Sequence, residues 1–288
     1  MTMKVLVSAD MEGTAGIVDR AHTAIPDRAM LSGVHNNAGE YEWARRLMTE
    51  EVNAAVEGAL ESGATEVWVT DAHGSMRNLL PMALHREARY VSGTPKMLCM
   101  LEGLDQSFRA VMFTGYHGRA GTPASVLAHT YIGIIQDVRL NGTSVGEYGI
   151  NAAVAGHFGV PVVLVTGDNT VVAQARSLLG PDLVGVEVKQ ALGTFSAVHL
   201  HPEKARAAIR AGAAEAVRRA SRLRPYLVGV PVRLEADIVS PDLADLAGLL
   251  PGVTRLGPRS VAYEGPDMLN VFKAWRAMLN VMMTRSAV

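Results

Sequence analysis

Residues 4–16 read KVLVSADMEGTAG. Val5, Leu6 and Val7 form an apolar run of the kind that is buried on both faces of a parallel sheet. The run then delivers two carboxylates two residues apart, Asp10 and Glu12, followed by Gly13 and Gly16. Side chains two apart on extended backbone point the same way. Both acids can therefore face one ion, with the glycines letting the backbone turn away. Sites in open parallel sheets form beyond the carboxyl ends of the strands, and that is where this acid pair falls.

The same form recurs downstream. TEVWVTDAHG reads as a strand that ends in Asp71 and His73, and RAVMFTGYHG as a strand that ends in His117. VPVVLVTGD is a further buried strand. Between these runs lie helical patterns. In YEWARRLMTEEVNAAVEGALESG the apolar positions Ala44, Met48, Val52, Ala55 and Val56 recur at steps of three and four, and Gly63 terminates the pattern. GEYGINAAVAGHFG and TVVAQARSLL also read as helices. Alternating strands and helices imply βαβ units: an α/β fold with a mainly parallel sheet flanked by helices and carrying the candidate site. Asn141-Gly142, between two strand-like runs, is a hairpin signal.

The second half changes character. HPEKARAAIRAGAAEAVRRASRL is a long helix opened by Pro202, VPVRLEADI a strand and DMLNVFKAWRAMLNVMM a closing helix. A second, smaller α/β domain is expected over residues 191–288, after a catalytic domain over 1–190. A length of 288 residues accommodates one large or two medium domains.

Carboxylates and imidazoles converging at three strand ends suit Zn²⁺, Mn²⁺ or Co²⁺ better than Ca²⁺. Asp71 reads either as a ligand or as a carboxylate that orients a ligating imidazole. EGTAG lacks the Lys-Ser/Thr of a phosphate-binding P-loop and does not match GxGxxG. His22, His35, His85, His157, His199 and His201 lack such context and read as surface or structural residues.

A net charge of -1, 5% aromatic residues and no basic cluster argue against nucleic-acid binding. No apolar run approaches the ~18 residues of a membrane span, and no secretory leader is recognisable. The single cysteine, Cys99, sits among apolar neighbours in PKMLCMLEG and reads as a core thiol. One cysteine makes neither an internal disulfide nor a thiolate cluster, and a cytoplasmic location is expected.

SADMEGTAG, VTDAHGSMRNLL, FTGYHGRAGTP, AHT and NGTSVGEYGINAAVAGHFGVPVVLVTGD together resemble the zinc-dependent D-aminopeptidases of a bacterial dipeptide-transport operon. The resemblance runs from residue 4 to about residue 282. It implies two Zn²⁺ per subunit, with Mn²⁺ or Co²⁺ as substitutes, held by Asp10, Glu12, His73, His117 and Glu147. It makes Asp10 the bridging carboxylate and His129 the catalytic histidine, as nucleophile or as acid/base. The step from His117 to His129 is one residue longer than the family pattern, consistent with a small insertion near Ala124-Ser125. It also implies a ring-shaped homo-oligomer, a homodecamer, acting on short peptides with an N-terminal D-amino acid such as D-Ala. Two other readings stay open on the residues themselves. One is a different di-metal hydrolase of L-peptides, amides or phosphoesters. The other is a non-catalytic metal-binding assembly, against which a spare histidine beside a full ligand set argues.

Overall fold

The computed structural model describes residues 2–25 and 38–285; His35 lies outside them. Among the described residues twelve strands form two sheets. The first contains β1 (Lys4–Ala9), β2 (Glu66–Asp71), β3 (Ala88–Val91), β4 (Ala110–Tyr116), β7 (Val162–Asp168), β8 (Val184–Gly193) and β9 (Ser196–His199). Their order is β3-β2-β1-β4-β7-β8-β9. All neighbours are parallel except β8 and β9. Every residue of β4 and of β7 is buried, as continuous apolar runs in a sheet covered on both sides must be.

The order places the site. The chain moves outward from β1 to β2 and β3, then returns to lay β4 on the other side of β1. The two neighbouring strands β1 and β4 therefore lead into connections on opposite sides of the sheet. Beyond their carboxyl ends lies the crevice where ligands bind in such folds. Asp10 and Glu12 leave β1 there, and His117 leaves β4.

The helix Ala38–Glu61 buries Ala44, Met48, Val52, Ala55 and Val56, the stripe expected from the sequence. It packs against Pro202–Arg219, whose N-terminal proline also agrees with expectation. Glu147–His157 and Asn169–Leu179 are likewise helical.

The second sheet is antiparallel and runs β11-β12-β10-β5-β6. It contains β5 (Ile135–Leu140), β6 (Thr143–Ser144), β10 (Val232–Ile238), β11 (Val253–Gly257) and β12 (Ser260–Gly265). Asn141 and Gly142 turn between β5 and β6 with φ of 45° and 83°, the left-handed pair that a tight two-residue hairpin requires. The helix Met268–Met283 packs on β10 and β12 and buries Val271, Phe272, Trp275, Met278, Leu279 and Met282. The strands of this second sheet are not all C-terminal. β5 and β6 come from the middle of the chain, while β8, β9 and Pro202–Arg219 pack with the larger sheet. Among the described residues no helix is long and apolar enough to cross a membrane.

Candidate metal centre

Backbone contact between the ends of β1 and β4 sets the geometry. Asp10 N donates to Thr114 O at 2.8 Å and Gly13 N to Gly115 O at 2.7 Å. A Cβ on Gly13 would stand 1.9 Å from the Tyr116 carbonyl oxygen. Glycine is needed at Gly13 for this close approach, and the turn itself is made at Gly16, where φ is 92°.

The fold brings together all six residues named from the sequence. Asp10 divides its oxygens. Oδ1 lies 3.3 Å from His73 Nδ1, and Oδ2 lies 3.5 Å from His117 Nε2. Glu12 Oε2 completes the first side at 3.0 Å from His73 Nδ1. Glu147 Oε1 completes the second at 3.5 Å from His117 Nε2. His129 stacks on His117 with ring centroids 4.1 Å apart and planes 10° apart. Its Nε2 lies 3.7 Å from Glu147 and 4.0 Å from Glu12.

Each imidazole is fixed from behind by a carbonyl oxygen, which can only accept. His73 Nε2 donates to Thr23 O at 2.9 Å. His117 Nδ1 donates to Gly118 O at 3.0 Å, and His129 Nδ1 to Leu127 O at 2.8 Å. The opposite nitrogens are thereby left facing the acids, as in metal sites where a backbone carbonyl orients each ligating histidine. Asp10 Oδ2, Glu12 Oε2 and His117 Nε2 are buried and lack hydrogen-bond partners among the described residues. Polar atoms in that condition are costly unless something else occupies the space between them. Ligand atoms of Asp10, Glu12 and His117, and again of His117, His129 and Glu147, lie within 4.8 Å of one another. The donor set of carboxylates and imidazoles fits borderline transition metals.

The electrostatics also call for cations. Burial raises Asp10 to about 7, with help from the Glu12 charge. Burial disfavours the charged form of His117, but Glu147, Glu12 and Asp10 outweigh it and push His117 up to about 10. Burial opposes charge on His73 in the same way, and the Glu12 and Asp10 carboxylates carry it well above the usual range. Glu12 would rise on burial, but the His73 imidazole holds it well below the ordinary value. A cation entering the cluster displaces the protons that these imidazoles carry, so uptake weakens as pH falls.

Buried ionisable side chains hold the arms of this site, Asp71, Asp168, Lys189 and Glu51 among them. Asp71 accepts from Asn78 N, Leu79 N and Asn78 Nδ2, while Asn78 also donates to the His73 carbonyl. It organises the loop carrying His73 and leaves the imidazole to Thr23. Asp168, which ends β7, accepts from Ser125 Oγ and Val126 N and so holds the loop carrying His129. Lys189 on β8 donates to the carbonyls of Glu12, Thr14 and Ile17 at 2.5, 2.9 and 2.6 Å. Glu51 and His199 fix the same loop by accepting from Ala15 N and Gly16 N. Lys189→Met would strand three buried carbonyls, at a cost of about 2–4 kcal/mol. The expected result is a folded variant with a lower melting temperature and metal that dialyses away more readily. Unchanged melting and retention would show that the clamp is dispensable.

The other described histidines serve the backbone or the surface. His22, His85 and His201 accept from nearby backbone N–H groups, and His157 lies 4.0 Å from Asp267. Cys99 is buried, and burial pushes its thiol up to about 11, as expected of an inert core cysteine.

The sequence model of the D-aminopeptidase peptidase family matches residues 3–277. The chain belongs to the D-aminopeptidase family. It is 36% identical over 285 residues to the D-aminopeptidase of Bacillus subtilis (strain 168), covering 99% of each chain. Its fold matches that of a solved structure, the Zn-dependent D-aminopeptidase DppA from Bacillus subtilis, described as a self-compartmentalizing protease. The TM-score is 0.90, with 35% identity and 98% of both chains covered.

Proposed function

We propose that the chain is a zinc-dependent D-aminopeptidase that removes N-terminal D-amino acids, such as D-Ala, from short peptides at a two-metal site. Asp10, Glu12 and His73 would hold one ion; Asp10, His117 and Glu147 would hold the other. The observation that carries this reading is the division of Asp10, one oxygen turned to each donor set. Zinc, when bound, polarises a carbonyl and makes water acidic enough to ionise near neutral pH.

The remaining work falls to side chains of this chain. His129 keeps its Nδ1 proton on the Leu127 carbonyl, so Nε2 carries the free lone pair. Burial and the adjoining His117 ring lower its basicity. It is therefore available at neutral pH to take a proton from the attacking group or to attack in its own right. Its side chain is 26% exposed, which leaves it open to a substrate. Two cavities of about 560 and 570 Å³ meet at His129, one including Glu12 and the other Asp10, His73 and Glu147. A scissile bond between them would have a side of the peptide in each.

The match to a self-compartmentalizing protease supports a closed homo-oligomer of this chain as well. Such an assembly would hide the site from folded proteins and restrict it to short peptides. The test of function is a substrate panel on zinc-loaded protein: D-Ala-D-Ala, L-Ala-L-Ala, D- and L-alanine anilides, and a phosphomonoester. Hydrolysis confined to substrates with an N-terminal D-residue is expected. Preference for the L-series or for the phosphomonoester would overturn the proposal in favour of another di-metal hydrolase.

A further inference from the structure

The second of the two cavities, about 570 Å³, has Asp10, His73, His129 and Glu147 at one end. On its wall stand Arg276 and Asn280, one turn apart on Met268–Met283. Arg276 is half-buried. Among the described residues no carboxylate lies within ion-pair distance of its guanidinium. A partly desolvated cation without a counter-ion is unfavourable, and arginine is the side chain best shaped to take a carboxylate by two parallel hydrogen bonds.

Its position relative to the reacting end is fixed. The guanidinium lies 5.8 Å from the centroid of the Tyr131 ring. Tyr131 is held in turn: its backbone N–H donates to Glu147 Oε1 at 2.6 Å, and its hydroxyl donates to Asn151 Oδ1 at 3.0 Å. The ring also meets Trp275 edge-on, with centroids 6.0 Å apart. One anchored aromatic residue thus spans the interval from the Glu147 carboxylate to the Arg276 cation. Two other arginines line the cavities, Arg77 in this one and Arg20 in the first, but both are exposed to water, where a charge needs no partner.

We infer that Arg276 binds the C-terminal carboxylate of the peptide, making it a specificity residue that selects short peptides with a free C-terminus. This rests on the peptidase reading given above. The cavity has room for the one or two residues of the peptide that follow the scissile bond.

The test compares kcat/KM for D-Ala-D-Ala with that for its C-terminal amide on the zinc-loaded enzyme. The wild type should prefer the acid by ~10–100-fold, the range for a hydrogen-bonded charge. In Arg276→Gln the acid-to-amide ratio should collapse towards one, mainly through KM for the acid. Arg276→Lys should keep part of the preference because the charge survives. An equal rate on both substrates by the wild type, or an unchanged ratio in Arg276→Gln, would overturn the assignment. Loss of the preference in Arg20→Gln in place of Arg276→Gln would do the same. A wild type that cleaves neither substrate would sink the peptidase reading and this inference with it.

Discussion

Asp10→Ala should leave the protein folded and strip it of both ions. Asp10 is the one side chain whose two oxygens face separate donor sets, at 3.3 Å from His73 and 3.5 Å from His117. Removing it leaves each side one ligand short, Glu12 with His73 and His117 with Glu147. Turnover should fall by at least ~10³-fold, since the metal supplies several kcal/mol of transition-state stabilisation. Emptying is separable from unfolding by the sign of a pH effect. The folded state raises Asp10 to about 7, above its ordinary value of 3.8. A raised carboxyl contributes stability below its unfolded value, and that contribution is lost as pH rises through about 7. Above that pH the folded chain bears the cost of an ionised Asp10 wherever no metal offsets it. Metal-stripped Asp10→Ala should therefore melt no lower than metal-stripped wild type at pH 8. Metal analysis beside calorimetry checks both halves. Two ions per chain in the variant would end the bridging assignment.

His129→Ala should do the reverse, keeping its metals and losing its rate. The side chain stacks on His117 and reaches Glu12 and Glu147 only at 4.0 and 3.7 Å, which is longer than the contacts within the five-residue set. It is also the most exposed imidazole of the three. Its removal takes away one stacked ring and one hydrogen bond at the open side of the cluster, so melting should fall modestly with the fold kept. Loss of a positioned acid or base costs ~10²–10⁴ in rate, and loss of a nucleophile at least as much. His129 also completes a second donor triad with His117 and Glu147. Metal content decides between the two roles. A variant with one ion missing would make His129 a ligand, and a fully loaded variant with more than roughly a tenth of wild-type turnover would make it dispensable.

Much of this geometry is legible in the amino-acid sequence. A parallel sheet collects its chemistry at one edge, so Asp10, Glu12, His73 and His117 stand out by falling at strand ends. The stripe from Ala44 to Val56 and the Asn141-Gly142 turn are readable because helix and hairpin geometry impose local periods. Glu147 and His129 have no such mark. One opens a helix, the other sits in a loop, and only the family resemblance singles them out. Lys189 and Asp168 escape sequence reading for a different reason. Locally Asp168 reads only as the cap of Asn169–Leu179 and Lys189 as one polar residue of a mixed strand, and the loop groups each one holds lie far away in sequence. Nothing local encodes that pairing. The sharing of β5 and β6 with the C-terminal strands is hidden for the same reason, since Leu140 pairs with Leu234.

That last pairing has a consequence for the order in which the molecule is made. All six residues of the cluster have been synthesised once residue 147 has been added, and the Lys189 clamp follows soon after. The strand that stitches β5 in place, Val232–Ile238, comes some ninety residues later. Until then β5 is paired on one side only, with β6, and the loop from His129 runs into a strand with an open edge. Trp275, which packs against Tyr131, and Arg276 arrive later still. A nascent chain can thus own every chemical group of the site without owning the site, and competence waits for the final helix.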